Sequence, residues 1–174
     1  MFRGTTIFSK FAVAGTIAAI AGASSLGAQS TDGAGDREAV LATARAMLTA
    51  ISTRDTALAH RQMQPGMTLS STTDPIAPTT VARVTTDTAF LRGIGSSPNR
   101  LLERMWEPKV TVAGTVALVY APYDFHIDGK FSHCGTDTFT LVKTPQGWRI
   151  THLAYTVQRA GCAPSPLGPP PADR

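Results

Sequence analysis

Cysteine and charge are scarce in this sequence, and the common phosphate-binding and nucleophile motifs are missing. Only two cysteines occur among 174 residues, and charged residues make up 16% of the chain. The cysteines are 28 positions apart and have none of the character of a CxxC redox motif. No glycine-rich phosphate loop, nucleophile elbow or Walker-type run occurs. The sequence therefore offers no motif for a nucleotide, and we expect no cofactor.

The N-terminal segment has the layout of a secretory signal peptide. Residues 11–28 carry no charge, follow Arg3 and Lys10, and end in small residues at Gly27-Ala28. The apolar stretch is short and rich in Ala and Gly, which argues against a retained membrane span. No cysteine follows Ala28, which argues against lipoprotein processing. We expect cleavage after Ala28, no stable membrane insertion afterwards, and a secreted or periplasmic protein.

The part that remains after cleavage is the size of one domain. Removing residues 1–28 leaves 174 − 28 = 146 residues and 14 − 12 = +2 formal charges, so much of the basic character belongs to the leader. This length is enough for a real core, and the lack of a basic stripe excludes a typical nucleic-acid binder. We expect a flexible lead-in over 29–35, a domain over 36–162 and a proline-rich tail over 163–174. An exported protein matures under oxidising conditions, so Cys134 and Cys162 are predicted to form one disulfide.

The first half of the domain is predicted to be helical. From Asp36, apolar residues recur with the spacing of one helix face as far as Ile51, and Arg54 closes the last turn. A second short helix is expected from Asp55 to about residue 63, followed by a possible short strand over 67–72. Residues 73–85 form a polar connection broken by prolines. Thr86 or Asp87 can cap a third short helix that ends at 95–98.

The second half reads as strands separated by turns. Strands are predicted at about 100–112, 115–127, 130–143 and 147–158. The turn at Asp128-Gly129 is a strong hairpin signal, and Pro145-Gln146 suits a type I turn. Helices first and an antiparallel meander last predict an α+β fold.

Turn positions predict which residues share a sheet face. If Ile127 pairs with Lys130 and Thr144 with Gly147, one face carries a polar group of side chains beside large apolar ones. We assign this face to the helices. A two-residue turn at Ala113-Gly114 would add Glu107 and Lys109 to it, whereas a three-residue turn adds an apolar set, and we take the second. The predicted inner face then comprises Trp106, Val110, Val112, Val116, Leu118, Tyr120, Asp124, His133, Asp137, Phe139, Leu141, Trp148, Ile150 and His152.

The opposite face is too apolar to be left in water. It is predicted to carry Val119, Tyr123, Phe125, Val142, Leu153, Tyr155 and Val157. A contiguous apolar face of this size is unusual on a soluble monomer, so we expect a homodimer through this convex face. The alternative is that the proline-rich tail folds back over it.

Three segments carry a resemblance to a known fold family. Trp106-Glu107-Pro108, Cys134-Gly135-Thr136-Asp137 and Gly147-Trp148-Arg149-Ile150 resemble the nuclear transport factor 2-like superfamily, closest to its exported SnoaL-like and lumazine-binding-type relatives. The resemblance implies N-terminal helices packed in the concave face of a curved antiparallel sheet, a cystatin-like cone with a pocket. Members include isomerases, cyclases, dehydratases, hydrolases and pure binding modules, so the fold alone names no reaction.

Besides an assembly module whose cone is filled by its own side chains, two functions follow as hypotheses. One is an exported module that binds a small apolar or aromatic molecule, with a pocket formed by Trp106, Tyr120, Asp124, His133, Asp137, Trp148 and His152. The other is a SnoaL-like isomerase, cyclase or hydrolase in which Asp137 is the general base and Tyr120 and His152 assist. The alternative that we favour is structural: Asp137 is a buried residue satisfied by Tyr120 and backbone donors, and the two tryptophans belong to the core. A metal bound by His133, Asp124 and His152 lacks the compact spacing of a ligand motif, and none is predicted.

Overall fold

The computed structural model of the protein describes residues 31–171. Three helices, α1 (Thr31–Thr53), α2 (Thr56–Gln62) and α3 (Asp87–Gly95), pack on one side of a single sheet. The predicted α+β class is confirmed. The predicted signal peptide lies outside the described residues. Within 31–171, no helix is long and apolar enough to cross a membrane.

The helices begin and end where local chemistry allows. α1 starts at Thr31, ahead of the expected Asp36, and buries its apolar stripe against the sheet. Its end is a Schellman arrangement, in which Arg54 has a φ of 59° and the Asp55 amide donates to the Ala50 carbonyl at 2.9 Å. The Asp55 carboxylate then caps α2, as the sequence pattern indicates. Thr86 caps α3 in the same way.

The sheet has seven strands, which are β1 (Met63–Thr73), β2 (Arg83–Thr86), β3 (Leu101–Met105), β4 (Lys109–Ala113), β5 (Val116–Ile127), β6 (Lys130–Thr144) and β7 (Gly147–Val157). Their order in the sheet is β2-β1-β7-β6-β5-β3, with β4 also paired to β5. One difference from the expectation is that the sheet is mixed, because β1 runs parallel to β7. Another is β2, which lies in the segment expected to be a connection. A third is the break at Trp106-Glu107-Pro108, which divides the expected strand over 100–112 into two.

Two bulges change the register that the turns alone predict. Ile127 pairs with Lys130, and Thr144 pairs with Gly147, as expected. Ser132 is then an extra residue on β6, and Thr151 is an extra residue on β7. Each bulge shifts the following pairs by one position and so reverses which face the side chains occupy. The predicted face assignment is therefore wrong for most of β5 and for the second half of β7.

The turn between β4 and β5 is also different. Ala113 pairs with Val116, so the turn has two residues and not the three that we expected. Val110 and Val112 nevertheless face the helices, because β5 is itself shifted by the first bulge. The wrong turn length and the wrong face assignment of β5 compensate each other, so the predicted inward orientation of these two valines is correct.

The convex face predicted for dimerisation is composed differently. Val119, Tyr123 and Leu153 are buried in the core, and Phe125 and Tyr155 also pack inward. The outer face instead exposes an apolar strip on β5, formed by Val116, Leu118 and Tyr120, whose exposed fractions are 46%, 45% and 47%. We call these three residues the outer strip. Their exposure leaves this part of the sheet without cover from the described chain.

The proline-rich tail covers the other end of the outer face. Cys134 and Cys162 form the predicted disulfide, which ties the tail to β6. The guanidinium of Arg104 donates to the carbonyls of Gly168 at 3.0 Å and Pro169 at 3.4 Å. We call residues 162–171 the proline strap. The sequence left two alternatives for covering the outer face, a second copy of the chain or the proline-rich tail. The strap covers this end of the face only.

Candidate functional site

An inner cavity lies between the ends of α1 and α3 and the concave side of the sheet. Its volume is about 280 Å³, and its walls are mostly aromatic and aliphatic. α3 forms one wall because its apolar side faces the sheet, and β3, β5, β6 and β7 form the others. The lining residues are Ile51, Leu69, Thr85, Phe90, Gly93, Ile94, Ser97, Leu101, Glu103, Tyr123, Phe125, His133, Leu153 and Tyr155.

The carboxyl group of Glu103 lines this cavity and is paired with that of Asp137, which is buried and is not part of the cavity wall. Glu103 alternates with Leu101 and Met105 on β3, so its side chain faces inward like theirs. Asp137 lies on the inner face of β6, has an exposed fraction of 0%, and sits between Ala121 and Tyr155 of the neighbouring strands. The two carboxyl groups are within hydrogen-bonding reach of each other. Such a contact requires that one of them carries a proton.

Burial dominates the titration of this carboxyl pair. It raises the pKa of Glu103 to about 7, against an ordinary value of 4.5, although the hydrogen bond to Asp137 partly offsets the rise. Burial and then the charge of Glu103 raise the pKa of Asp137 well above its ordinary value. Apart from the contact with Glu103, neither Asp137 oxygen has a hydrogen-bond partner among the described residues. The pair therefore holds a proton near neutral pH, and Glu103 is the member that faces the cavity.

Tyr123 reaches across the sheet beside the carboxyl pair. Its hydroxyl donates to the Thr156 carbonyl at 2.7 Å. The ring can lie there because its partner across the strands is Gly135, where an added Cβ would come within 2.1 Å of the Thr156 carbonyl oxygen and 2.8 Å of the Tyr123 ring. Burial, followed by the nearby Asp137 and Glu103 charges, raises the pKa of Tyr123. Tyr123 thus stays protonated and serves as a wall and a positioned hydroxyl.

His133 completes the aromatic lining. Its ring stacks on Phe125 with centroids 5.0 Å apart and meets the Tyr123 ring edge-on at 5.7 Å. Burial, and to a smaller extent Arg159, lowers the pKa of His133. The imidazole is therefore neutral at neutral pH, and because its Nδ1 is 3.0 Å from the Ser132 hydroxyl, Nε2 is the ring nitrogen left for a ligand.

The structure brings together only some of the residues that the sequence pattern predicted. Asp137 and His133 lie on the inner side, at or beside the cavity. Tyr120 is on the opposite, exposed face, because the Ser132 bulge pairs it with Thr138 and not with Asp137. The predicted catalytic pairing of Tyr120 with Asp137 is therefore wrong.

The other predicted residues are also displaced from the inner cavity. His152 lies on the outer face, where its Nδ1 is 2.8 Å from the Thr68 hydroxyl, because Thr151 bulges. Trp148 faces inward but is a core residue whose Nε1 donates to Asp36 at 3.0 Å. Trp106 and Asp124 line a separate cavity beneath the proline strap. None of these four contributes to the inner site as expected.

Glu103, Tyr123 and Tyr155 are the site residues that the sequence reasoning missed. The signal for Glu103 was a glutamate between Leu101 and Met105 in a strand, at the spacing that places all three on one face. The tyrosines were assigned to the convex face by the register that the bulges overturn.

The three residues considered as a metal site, His133, Asp124 and His152, do not come together. His133 faces inward, whereas Asp124 and His152 are on the outer face of different strands. Within residues 31–171, no three His, Cys, Asp or Glu side chains gather as a potential metal site.

Comparisons with solved structures identify the fold. A nuclear transport factor 2-like superfamily protein from Salmonella enterica is 15% identical with a TM-score of 0.60, covering 75% of this chain and 96% of that one. A protein from Streptomyces avermitilis, named as a proposed dehydratase of the same family, is 17% identical with a TM-score of 0.57, covering 72% and 97%. A proposed aromatic ring hydroxylase from Novosphingobium aromaticivorans is 16% identical with a TM-score of 0.56, covering 71% and 90%.

These similarities establish the fold and no more. No protein-family model and no curated protein matches the chain. The chain has the nuclear transport factor 2-like fold, and the resemblance carried by its sequence segments is confirmed at that level.

Proposed function

We propose that this protein with a nuclear transport factor 2-like fold binds a small, largely apolar molecule in the inner cavity and holds one polar group of it at Glu103. The observation that carries this proposal is the carboxyl group of Glu103, paired with the buried Asp137, in the wall of an aromatic cavity of about 280 Å³. Small-molecule sites have this composition, with mainly apolar walls and a few convergent polar groups. A hydroxyl, amine or carbonyl group on the ligand would find a donor or an acceptor in the pair.

A buried pair of acids is costly to keep in a core without a use for it. Neither Asp137 oxygen accepts from an N–H or hydroxyl of the described chain, so the pair depends on its own shared proton. A polar group bound at Glu103, the member of the pair that lines the cavity, would give the pair a further hydrogen bond. This favours a site built for a ligand over a cone filled only by its own side chains.

Acid–base catalysis is the second candidate, and the pKa of about 7 for Glu103 favours it. A carboxylate with a pKa near the working pH can take a proton and return it at similar cost. We propose that Glu103, and not Asp137, would remove a proton from the carbon beside a carbonyl. The carbanion charge would pass to the carbonyl oxygen as an enolate, and the proton would return to the same carbon or, where a double bond is conjugated with the enolate, to the γ-carbon. The names of the Streptomyces and Novosphingobium proteins are consistent with small-molecule chemistry on this fold.

Filling the cavity tests the binding proposal. Gly93 lies in α3, lines the cavity, and has no atom within 4 Å of an added Cβ. Replacing it with leucine should fill the cavity, and Gly93→Ala is the matched control that improves helix propensity without occupying it. Titration calorimetry with 2-naphthol should show binding to the wild type and Gly93→Ala and a loss of that site in Gly93→Leu. Native mass spectrometry of freshly purified protein tests directly for a retained molecule. Equal binding to all three proteins would contradict the inner site.

Hydrogen–deuterium exchange tests the catalytic candidate. 2-Indanone has acidic protons beside its carbonyl, and their exchange in D₂O is followed by NMR. The wild type should accelerate exchange and Glu103→Gln should not, whereas the exposed Glu107→Gln should behave as the wild type. Absence of acceleration with retained 2-naphthol binding would leave a binding module as the function.

Export and dimerisation complete the proposal. We propose that the chain is exported, on the basis of its signal-peptide-like leader and of the disulfide, which suits an oxidising compartment. We also propose that the outer strip packs against the same strip of a second copy. A twofold contact buries the same patch on both subunits, and about 800 Å² per subunit would make it a standard interface.

A further inference from the structure

A second cavity lies on the outer side of the sheet, beneath the proline strap. Its volume is about 450 Å³, larger than that of the inner cavity. Trp106 and Phe131 supply aromatic walls from the sheet, and Pro164, Pro169 and Pro170 face them from the strap. The cavity is therefore flanked by flat apolar groups on two sides.

The strap that closes this cavity is fixed at two points. At its start, the disulfide joins Cys162 to Cys134 of β6. Near its end, Arg104 donates to the carbonyls of Gly168 and Pro169. These two contacts fix the path of the strap over the sheet.

The charges in this cavity cancel. The guanidinium of Arg104 makes two hydrogen bonds to the Asp124 carboxylate, at 2.9 and 2.6 Å. Their side chains are only 13% and 5% exposed. A paired, two-bond contact of this kind leaves no net charge to attract an anion or a cation. The cavity therefore suits a neutral molecule.

His126 is the polar wall residue whose hydrogen bonding is incomplete. It is 5% exposed, and its Nδ1 has no hydrogen-bond partner within the described chain. Asp124 Oδ1 is 3.7 Å away, which is too far for a hydrogen bond. Burial lowers the pKa of His126 and outweighs the opposite effect of Asp124, so the imidazole is neutral. Its ring is held edge-on against Phe131, with centroids 5.8 Å apart.

We propose that the cavity under the proline strap is a second binding site, for a small neutral hydroxylated aromatic molecule whose hydroxyl contacts His126. The aromatic ring would lie between Trp106 and the strap prolines. A hydroxyl group both donates and accepts, so it fits either tautomer of the neutral imidazole. This site is separate from the inner cavity, since β5 and β6 of the sheet lie between the two.

The test uses 2-naphthol in the Gly93→Leu background, where the inner cavity is filled. The chain has two tryptophans, and only Trp106 lines the outer cavity, whereas Trp148 is in the core. In ¹H–¹⁵N spectra, 2-naphthol should therefore shift the Trp106 indole N–H signal and leave that of Trp148 in place. Naphthalene, which lacks the hydroxyl, should bind more weakly by about two- to tenfold, the effect of one hydrogen bond.

Two variants test the named contacts. His126→Phe keeps a ring against Phe131 and should remove the preference for 2-naphthol over naphthalene without unfolding the protein. The double variant Cys134→Ser/Cys162→Ser should release the strap and weaken 2-naphthol binding at Trp106. If that variant is unfolded by circular dichroism, the wild type treated with a phosphine reductant replaces it.

Each outcome decides the proposal. Binding that shifts Trp106, prefers the hydroxyl through His126 and depends on the tethered strap would support it. Loss of all binding in Gly93→Leu would overturn it, because only the inner cavity would then bind. An unchanged preference in His126→Phe, or binding unaffected by release of the strap, would also overturn it.

Discussion

Replacing Glu103 with glutamine removes one ionisable member of the buried carboxyl pair and should change how stability depends on pH. The pKa of Glu103 is about 7 in the folded protein and 4.5 is its ordinary value, which we take for the unfolded chain. The folded state therefore binds the proton more tightly than the unfolded state. Below pH 4.5 both states are protonated and Glu103 has no effect. As the pH rises through 7, ionisation penalises the folded state.

The size of the effect follows from the two pKa values. A full difference of about 2.5 pH units at about 1.4 kcal/mol each is about 3 kcal/mol. Between pH 5 and pH 8, about 2–3 kcal/mol of this should develop. The wild type should thus lose that much stability relative to Glu103→Gln over this interval. His126 and His133 have lowered pKa values and act in the opposite direction, but they are present in both proteins and cancel in the difference.

Urea unfolding followed by tryptophan fluorescence measures this difference. The free energy of unfolding is determined for the wild type and Glu103→Gln at pH 5, 6, 7 and 8. Glu107→Gln, which changes an exposed carboxylate close by in the chain, should track the wild type at every pH. A difference between wild type and Glu103→Gln that stays constant from pH 5 to pH 8 would refute the buried pair, because Glu103 would then ionise normally.

Three further changes test the architecture. Gly135→Ala would place a Cβ 2.1 Å from the Thr156 carbonyl oxygen, so a stability loss of about 1–3 kcal/mol is expected in urea unfolding; wild-type stability would contradict the close approach. Replacing Cys134 and Cys162 with serine opens a loop of 28 residues and should cost about 3–4 kcal/mol, measured as a lower thermal midpoint. No change would mean that the bridge is not formed. Leu118→Asp should turn a dimer into a monomer in light scattering, and a monomeric wild type would defeat that proposal.

The local features of the fold could be predicted from the sequence. The turns at Asp128-Gly129 and Pro145-Gln146 and the start of α2 at Asp55 were located correctly, and Thr86, one of the two residues considered as the cap of α3, is its cap. These features depend on a few neighbouring residues, whose backbone preferences are the same in any context. The disulfide could also be predicted, because two cysteines allow a single pairing.

The candidate site could be predicted only in part. Asp137 and His133 were found because β6 alternates without a bulge from His133 to the correctly predicted turn after Thr144. Glu103 was missed because β3 joins the sheet through β5 after a break at Trp106-Glu107-Pro108, and no turn links its register to the rest. Nothing local indicates that two acids distant in the chain will be buried together.

What the sequence by itself determined is the order of helices and strands, the hairpin turns and the disulfide, since each depends on local preference or on simple counting. Which side chains meet was decided by the tertiary structure. Ser132 and Thr151 each add one residue to a strand, and one residue is enough to exchange the two faces of a sheet. Those bulges place Tyr123 and Tyr155 on the inner face and Tyr120 and His152 on the outer face. The helices pack on the inner face because covering it buries the larger apolar area.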